Sequence, residues 1–206
     1  MKLLFSIVLT FLFFSANAQK HTEEVIDAKG ITRIVFSSDE VFRIHLKAIP
    51  GDEIKITSHT EGEYYNNISL DTEVQSNTLQ VSSRYREMLQ GGFDKLSAHK
   101  VFSMEVTLEV PINMIAEVTS NLASVYISGD FEHVLVQLNS GSCYFKDFNG
   151  DAVVNTFNGN ILGDVAAGNF EAESRHGVVN VPENTQNGHK MVITSINGNI
   201  KLTETK

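Results

Sequence analysis

The sequence has one cysteine, no tryptophan and no cluster of lysine and arginine residues. A single cysteine excludes an intramolecular disulfide, so stability must come from burial of a core. The formal net charge is −9, and without clustered basic side chains this argues against a nucleic-acid partner. After the N-terminal segment, no apolar stretch is long enough to span a bilayer. The 206 residues suit one domain, or one domain with an appendage.

The N-terminal segment has the layout of a secretory signal peptide. Lys2 supplies positive charge, Leu3 to Phe14 is almost entirely apolar, and Ser15 to Ala18 provides small residues in an A-x-A pattern. A permanent membrane helix needs about 20 apolar residues, and this run is shorter. We therefore expect residues 1–18 to be a signal peptide cleaved after Ala18. The mature protein is then exported, either to the periplasm or to the cell surface.

Residues 24–111 alternate between apolar and polar side chains, which predicts β-strands. Ser76-Asn77 separates two alternating runs and predicts a hairpin. Residues 84–100 break the alternation and are predicted to form a loop, and no long helix is indicated. The predicted strands are Ile31–Phe36, Val41–Ala48, Glu53–Thr57, Ile68–Val74, Thr78–Val81 and Val101–Val110.

Residues 112–206 repeat with a period of 18, marked by Gly141, Gly159 and Gly177, with Gly198 following after a polar insertion. Apolar residues recur at fixed distances from these markers and predict inward rows, so each repeat covers one face of the next. This favours a short parallel β-helix, or solenoid, of about 18-residue coils over a meander of hairpins. Asn158-Gly159 and Asn197-Gly198 suit tight corners that require positive φ. One inward row contains Val125, Cys143, Ile161, Val179 and Ile200.

Three segments resemble a known family: Val106–Pro111, Asn155–Ile161 and Thr194–Ile200. Together they resemble the bacterial putative-adhesin domains, and the resemblance covers roughly residues 31–202. It implies an all-β exported protein in which a β-strand-rich region, residues 19–111, continues into β-coil repeats, residues 112–206. The two parts are expected to form one continuous domain. The resemblance implies no catalytic residues, and fold alone does not give function.

Candidate chemical groups are sparse. Cys143 lies in the predicted inward row, which favours a buried, inert thiol over a nucleophile. The seven histidines lack zinc-site spacing, and Asp147–Asp151 lacks the glutamate of a calcium loop. We therefore expect no metal and no cofactor. The strongest catalytic candidates are Glu171 and Glu173, two residues before Arg175, although charged strands are usually solvated faces.

Tyr126 and Tyr144 are the candidate binding residues. They occupy the same outward position in consecutive repeats and should stack about 4.8 Å apart. Such a pair either stabilises the sheet or offers a flat platform to a sugar ring or a partner protein. The sequence therefore predicts a non-catalytic, adhesin-like or scaffold protein that binds a glycan or an envelope or surface protein. The alternatives are a carbohydrate-active enzyme on a β-helix and a periplasmic accessory of envelope-stress sensing.

Overall fold

The computed structural model describes residues 19–62, 65–85, 102–185 and 188–205. The predicted signal peptide and most of the predicted loop over residues 84–100 lie outside the described residues. The described chain is all-β, as predicted, and adds only one 3₁₀ turn, Tyr65–Asn67. Its strands are β1 (Gln19–Asp27), β2 (Arg33–Ser37), β3 (Arg43–Ile49), β4 (Glu53–Gly62), β5 (Ile68–Gln75), β6 (Thr78–Tyr85), β7 (Phe102–Pro111), β8 (Ile115–Ser120), β9 (Ser124–Ser140), β10 (Cys143–Asn158), β11 (Ile161–Val165), β12 (Gly168–Ser174), β13 (Val179–Asn180), β14 (His189–Asn197) and β15 (Ile200–Glu204).

The six strands predicted before residue 112 are all present, several with longer bounds, and the predicted hairpin joins β5 to β6 antiparallel. β1 is the strand that the sequence does not predict. Most of its side chains are exposed, so it lacks the apolar alternation of a half-buried strand. It is held instead by antiparallel pairing to β4, with Gln19 opposite Glu61 and Asp27 opposite Glu53.

All strands belong to one sheet that curls around a single core and has two branches. The first branch runs β1-β4-β7-β3-β9-β10-β11-β15-β13, and the second runs β5-β6-β2-β8-β9-β10-β14-β12. The long strands β9 and β10 belong to both branches, because the first half of each pairs in one and the second half in the other. In β9 the change of partner falls next to Gly129, whose φ of 94° is one that residues with a Cβ rarely adopt.

The predicted 18-residue period appears in the strand register. β9 and β10 pair in parallel with Val125 opposite Cys143, and β10 and β11 pair with Cys143 opposite Ile161. The winding of these repeats into a β-helix remains a prediction. The predicted division at residue 111 also remains a prediction, although β2 pairs with β8 and β3 with β9 across it.

The last two repeats pair out of chain order. β14 lies between β10 and β12, and β15 lies between β11 and β13. Residues 189–204 therefore lie between residues 151–165 and residues 168–180 in the sheet. In the sequence, by contrast, residues 168–180 directly follow residues 151–165. Every repeat presents the same inward rows, so the sequence pattern does not reveal this order. One consequence is that Val179 lies on the terminal strand β13 and is 40% exposed, so its predicted inward burial is wrong.

Glycines form a column at the corner of the repeats, but positive φ, the predicted reason, does not explain Gly159 and Gly198. Gly159 and Gly198 do not have positive φ. A Cβ at Gly159 would instead lie 1.9 Å from the carbonyl oxygen of Gly141, and one at Gly198 would lie 1.9 Å from that of Gly159. The glycines are therefore required by close approach between neighbouring backbones.

Candidate functional site

Tyr126 and Tyr144 form a stacked pair on the outer side of the first branch. They are directly opposite each other in the parallel register of β9 and β10. Their ring centroids are 4.6 Å apart, and the ring planes differ by 11°. The 18-residue period produces this contact, because it places the same outward position of two repeats on adjacent strands.

His45 extends the stack by one strand. It is opposite Tyr126 in the register of β3 and β9, and the two rings are 4.8 Å apart with planes 21° from parallel. Burial lowers the pKa of His45, and the charges of Lys47 and Arg43 lower it further, against the opposing effect of Glu105. His45 lies outside the repeat, so sequence periodicity does not link it to the tyrosines. We call His45, Tyr126 and Tyr144 the aromatic row.

Arg43 flanks the aromatic row. Its guanidinium carbon lies 5.8 Å from the centroid of the Tyr126 ring and 5.2 Å from that of Phe42. The same guanidinium donates to Glu105 at 2.8 Å. Arg43 is thus held by one carboxylate and two ring faces, and it adds a fixed positive charge at the edge of the row.

The stacking decides which part of each ring a partner can reach. His45 covers one face of Tyr126 and Tyr144 covers the other. The rings are half-buried, so their outward edges and phenolic hydroxyls are the accessible parts. Such a row can donate and accept hydrogen bonds along a line, whereas a sugar ring that stacks flat requires an uncovered ring face.

Cys143 is fully buried in the inward row, as predicted. Desolvation of the thiolate raises the pKa of its thiol far above the ordinary value. A nucleophilic cysteine needs a stabilised, accessible thiolate, and this position provides neither.

The acidic candidates occupy one strand. Glu171 and Glu173 take successive outward positions on β12, and Arg175 follows the end of that strand. The carboxylate of Glu171 accepts from Lys190 of β14 at 2.7 Å, and both side chains are largely exposed. Two carboxylates on one exposed strand differ from the pair facing across a cleft that glycoside hydrolysis uses.

The segment Asp147–Asp151 makes contacts within the protein. The Asn149 amide donates to Asp130 at 2.9 Å, and the Asp151 carboxylate accepts from the backbone NH of Lys190 at 2.9 Å. That backbone hydrogen bond is the main reason why the pKa of Asp151 is lowered, and His189, 3.1 Å away, contributes to it. Within residues 19–62, 65–85, 102–185 and 188–205, no group of three or more His, Cys, Asp or Glu side chains could hold a metal ion. The same residues contain no helix long and apolar enough to cross a membrane.

Comparison with known proteins gives a likeness of fold. No family model matches the chain, and no curated protein matches it in sequence. Its structure is similar to that of a putative cell adhesion protein from Clostridium sporogenes, with a TM-score of 0.65 and 12% identity over 91% of this chain and 100% of that one. A putative adhesin from Bacteroides fragilis covers 89% of this chain and 97% of its own at 12% identity, but its TM-score of 0.42 adds nothing about the fold. The predicted resemblance to putative-adhesin domains is thus confirmed for the fold.

Proposed function

We propose that this protein is an exported, non-catalytic, adhesin-like or scaffold protein whose repeats wind into a short parallel β-helix and present flat β-faces to a partner. The partner is a glycan or a protein of the cell envelope or surface. The likeness of fold to a protein named a putative cell adhesion protein supports this proposal. The N-terminal sequence supports export to the periplasm or the cell surface.

The observation that carries the proposal is the aromatic row. Three rings on three adjacent strands, with Arg43 beside them, make a rigid outward feature. Tyrosine and arginine are enriched where proteins bind partners, since each offers a large contact area together with a polar end. Because Tyr126 has a ring on both faces and Tyr144 has a ring on one, the partner mainly contacts the tyrosine hydroxyls and ring edges.

Contacts at the acidic strand favour binding over catalysis. Glu171 is engaged by Lys190 and lies on the same strand as Glu173, so the two do not form a facing acid and base. Incubation with polysaccharides separates the two functions, because a carbohydrate-active enzyme releases new reducing or unsaturated ends. We expect no such products.

The binding proposal is tested by applying the labelled mature protein to intact cells and isolated envelopes of its native host and measuring the amount that binds. The wild type should bind saturably, and the double variant Tyr126→Ala/Tyr144→Ala should lose most of that binding while remaining folded. Val25→Ala is a matched control, because Val25 is an exposed side chain on the distant strand β1 and should bind as the wild type does. Equal binding by the double variant would contradict the role of the aromatic row. Absence of saturable binding by the wild type would contradict the proposed function.

A further inference from the structure

A groove on the second branch has a different chemistry from the aromatic row. It is open, has a volume of about 510 Å³, and crosses β8, β9, β10 and β14. Its outward side chains include Thr119, Gln137, Asn155 and Thr194, which are opposite one another in the parallel register of these strands. Because neighbouring strands are about 4.8 Å apart, these four side chains form an evenly spaced line of hydroxyl and amide groups. We call them the polar line.

The polar line is not engaged by the protein. In the described parts of the chain, the side chains of Gln137, Asn155 and Thr194 make no hydrogen bond to other protein groups. The outward side chains of the first branch differ, because Arg43 pairs with Glu105 and Lys47 with Glu109. The amides and hydroxyls of the groove therefore retain both donor and acceptor capacity.

Phe157 supplies the apolar part of the groove. It lies two residues after Asn155 on β10, so it points to the same side of the sheet. Its side chain is 51% exposed, and Ile196 is beside it in the groove lining. Unlike the tyrosines of the aromatic row, Phe157 is not stacked against another described ring, so its exposed half offers aromatic surface to a ligand.

Charge selects the class of ligand. All the described residues that line the groove are uncharged, although the chain as a whole carries a net charge of −9. A smaller cavity of about 330 Å³ between β1 and β5 is lined by Lys20, Glu23 and Glu24 and lacks this neutrality. An anionic ligand would find no cation among the groove residues and would be repelled by Glu173, which is opposite Thr194 on β12 at the end of the polar line. A cationic ligand would find no carboxylate in the groove lining itself. An uncharged ligand rich in hydroxyl groups matches a line of amides and hydroxyls beside an exposed aromatic ring.

We propose that this groove is a binding site for a neutral polysaccharide chain, lying across the strands with its hydroxyls on the polar line and one sugar ring against Phe157. The site is separate from the aromatic row, which lies on the first branch. A polysaccharide fits better than a protein partner, because a protein interface of ordinary size needs a larger apolar centre with aromatic or arginine anchors. The spacing of the polar line suits an extended chain with regularly repeated hydroxyls.

The test uses the mature protein in affinity electrophoresis with soluble β-glucan, arabinoxylan and galactomannan, and with polygalacturonate as the anionic comparison. At least one neutral polymer should retard the wild type, and polygalacturonate should not. Gln137→Ala/Asn155→Ala should abolish most of the retardation, and Phe157→Ala should weaken binding about ten-fold by titration calorimetry. All these side chains are exposed, so circular dichroism and urea midpoints should remain close to those of the wild type.

Two controls separate this site from the other surfaces. Val178→Ala changes an exposed side chain beside β13 and should bind as the wild type does. Tyr126→Ala/Tyr144→Ala should retain polysaccharide binding, because the aromatic row is on the other branch. Failure of every neutral polymer to retard the wild type overturns the groove proposal and leaves the aromatic row to its own test. Binding that survives both groove variants, or is lost only in the tyrosine variant, also overturns it.

Discussion

The Ser195 hydroxyl lies 2.9 Å from the carbonyl oxygen of Gly159, on the neighbouring repeat, and donates a hydrogen bond to it. Thr156 makes the same bond to Gly141 at 3.1 Å, and Ser174 makes it to Gly198 at 2.7 Å. In each case the hydroxyl is three residues before the corner glycine of its own repeat. The corner of each repeat is thus tied to the next by one hydroxyl, which is buried in Thr156 and Ser195 and half-buried in Ser174, and by a glycine that lets the backbones meet.

Ser195→Ala should reduce the free energy of unfolding by about 1–3 kcal/mol, because it removes a buried hydroxyl and leaves the half-buried carbonyl oxygen of Gly159 without this donor. Urea unfolding of the mature protein measures this loss. Ser140→Ala is the matched control, since Ser140 is exposed and its replacement should change stability by less than about 0.5 kcal/mol. Equal stabilities of the two variants would show that the Ser195 bond contributes nothing.

Gly159→Ala should cost about 3 kcal/mol or more, because the added Cβ would lie 1.9 Å from the Gly141 carbonyl oxygen. Gly30→Ala is the comparison, since Gly30 has a φ of 84° but no atom within 4 Å of the added carbon. Backbone strain alone should cost Gly30→Ala about 1 kcal/mol. Urea midpoints in the same buffer compare the two, and a larger loss at Gly30 would contradict close approach as the reason for the corner glycines.

Tyr126→Ala and Tyr144→Ala should show an interaction free energy of about 0.5–1.5 kcal/mol in a double-mutant cycle, because the two rings stack directly. Urea unfolding of the two single variants and the double variant gives this value. Tyr126→Ala and Phe157→Ala provide the control cycle, which should be additive, since these residues lie on different branches. An additive cycle for the two tyrosines would show that the stack adds nothing to stability.

Acid should weaken the fold through His45. Burial lowers the pKa of His45 in the folded state, so the unfolded chain binds the proton more readily. The difference in proton binding has no effect when the pH is well above the pKa of about 6.5 that histidine has in the unfolded chain. It reduces the free energy of unfolding as the pH falls below that pKa. His45→Phe keeps a ring in the stack and removes the titration, so it should lose less stability than the wild type between about pH 7.5 and about pH 5.5. Equal losses in thermal melts at the two pH values would contradict this.

Cys143 should react slowly with a thiol reagent in the folded protein and rapidly in guanidinium chloride, because its side chain is fully buried and its thiol pKa is raised. With a disulfide reagent that releases a coloured thiol on reaction, the increase in absorbance gives the reaction rate in each condition. Ser140→Cys in a Cys143→Ala background supplies an exposed thiol for comparison and should react rapidly in both conditions. Equal rates for Cys143 in both conditions would mean that the inward row is assigned one residue out of register.

Much of the fold could be predicted from the sequence, because one face of each strand is buried. Alternation gives the strands that cover the core, and the 18-residue period gives the register that places Val125 opposite Cys143. The exposed strand β1 escapes this reasoning, since it has no buried face to mark it. The order of the last repeats also escapes it, because Ile193 and Ala172 occupy equivalent inward positions and either could follow Val154 on the next strand.

Only those candidate site residues that belong to the 18-residue repeat could be predicted from the sequence. Tyr126 and Tyr144 share one repeat position, so their proximity follows from the period. His45 joins them through the pairing of β3 with β9, which links residues 81 positions apart and has no local signal. The polar line is missed for another reason: threonine, glutamine and asparagine are ordinary surface residues, and only strand order shows that they adjoin an exposed Phe157.

The position of residues 189–204 between earlier strands affects the order in which the strands can pair during synthesis. The ribosome makes β12 and β13 before β14 and β15, yet β12 pairs with β14 and β13 with β15. This end of the sheet therefore waits for the later strands, and during that delay the earlier ones face a competing partner, because the period would let them pair directly with β10 and β11. A nascent chain that closes in sequence order must reopen to admit the later strands. A chain that is synthesised slowly has more time to form the pairing of β12 with β10. A complete chain that folds after its release can pair β14 with β10 first.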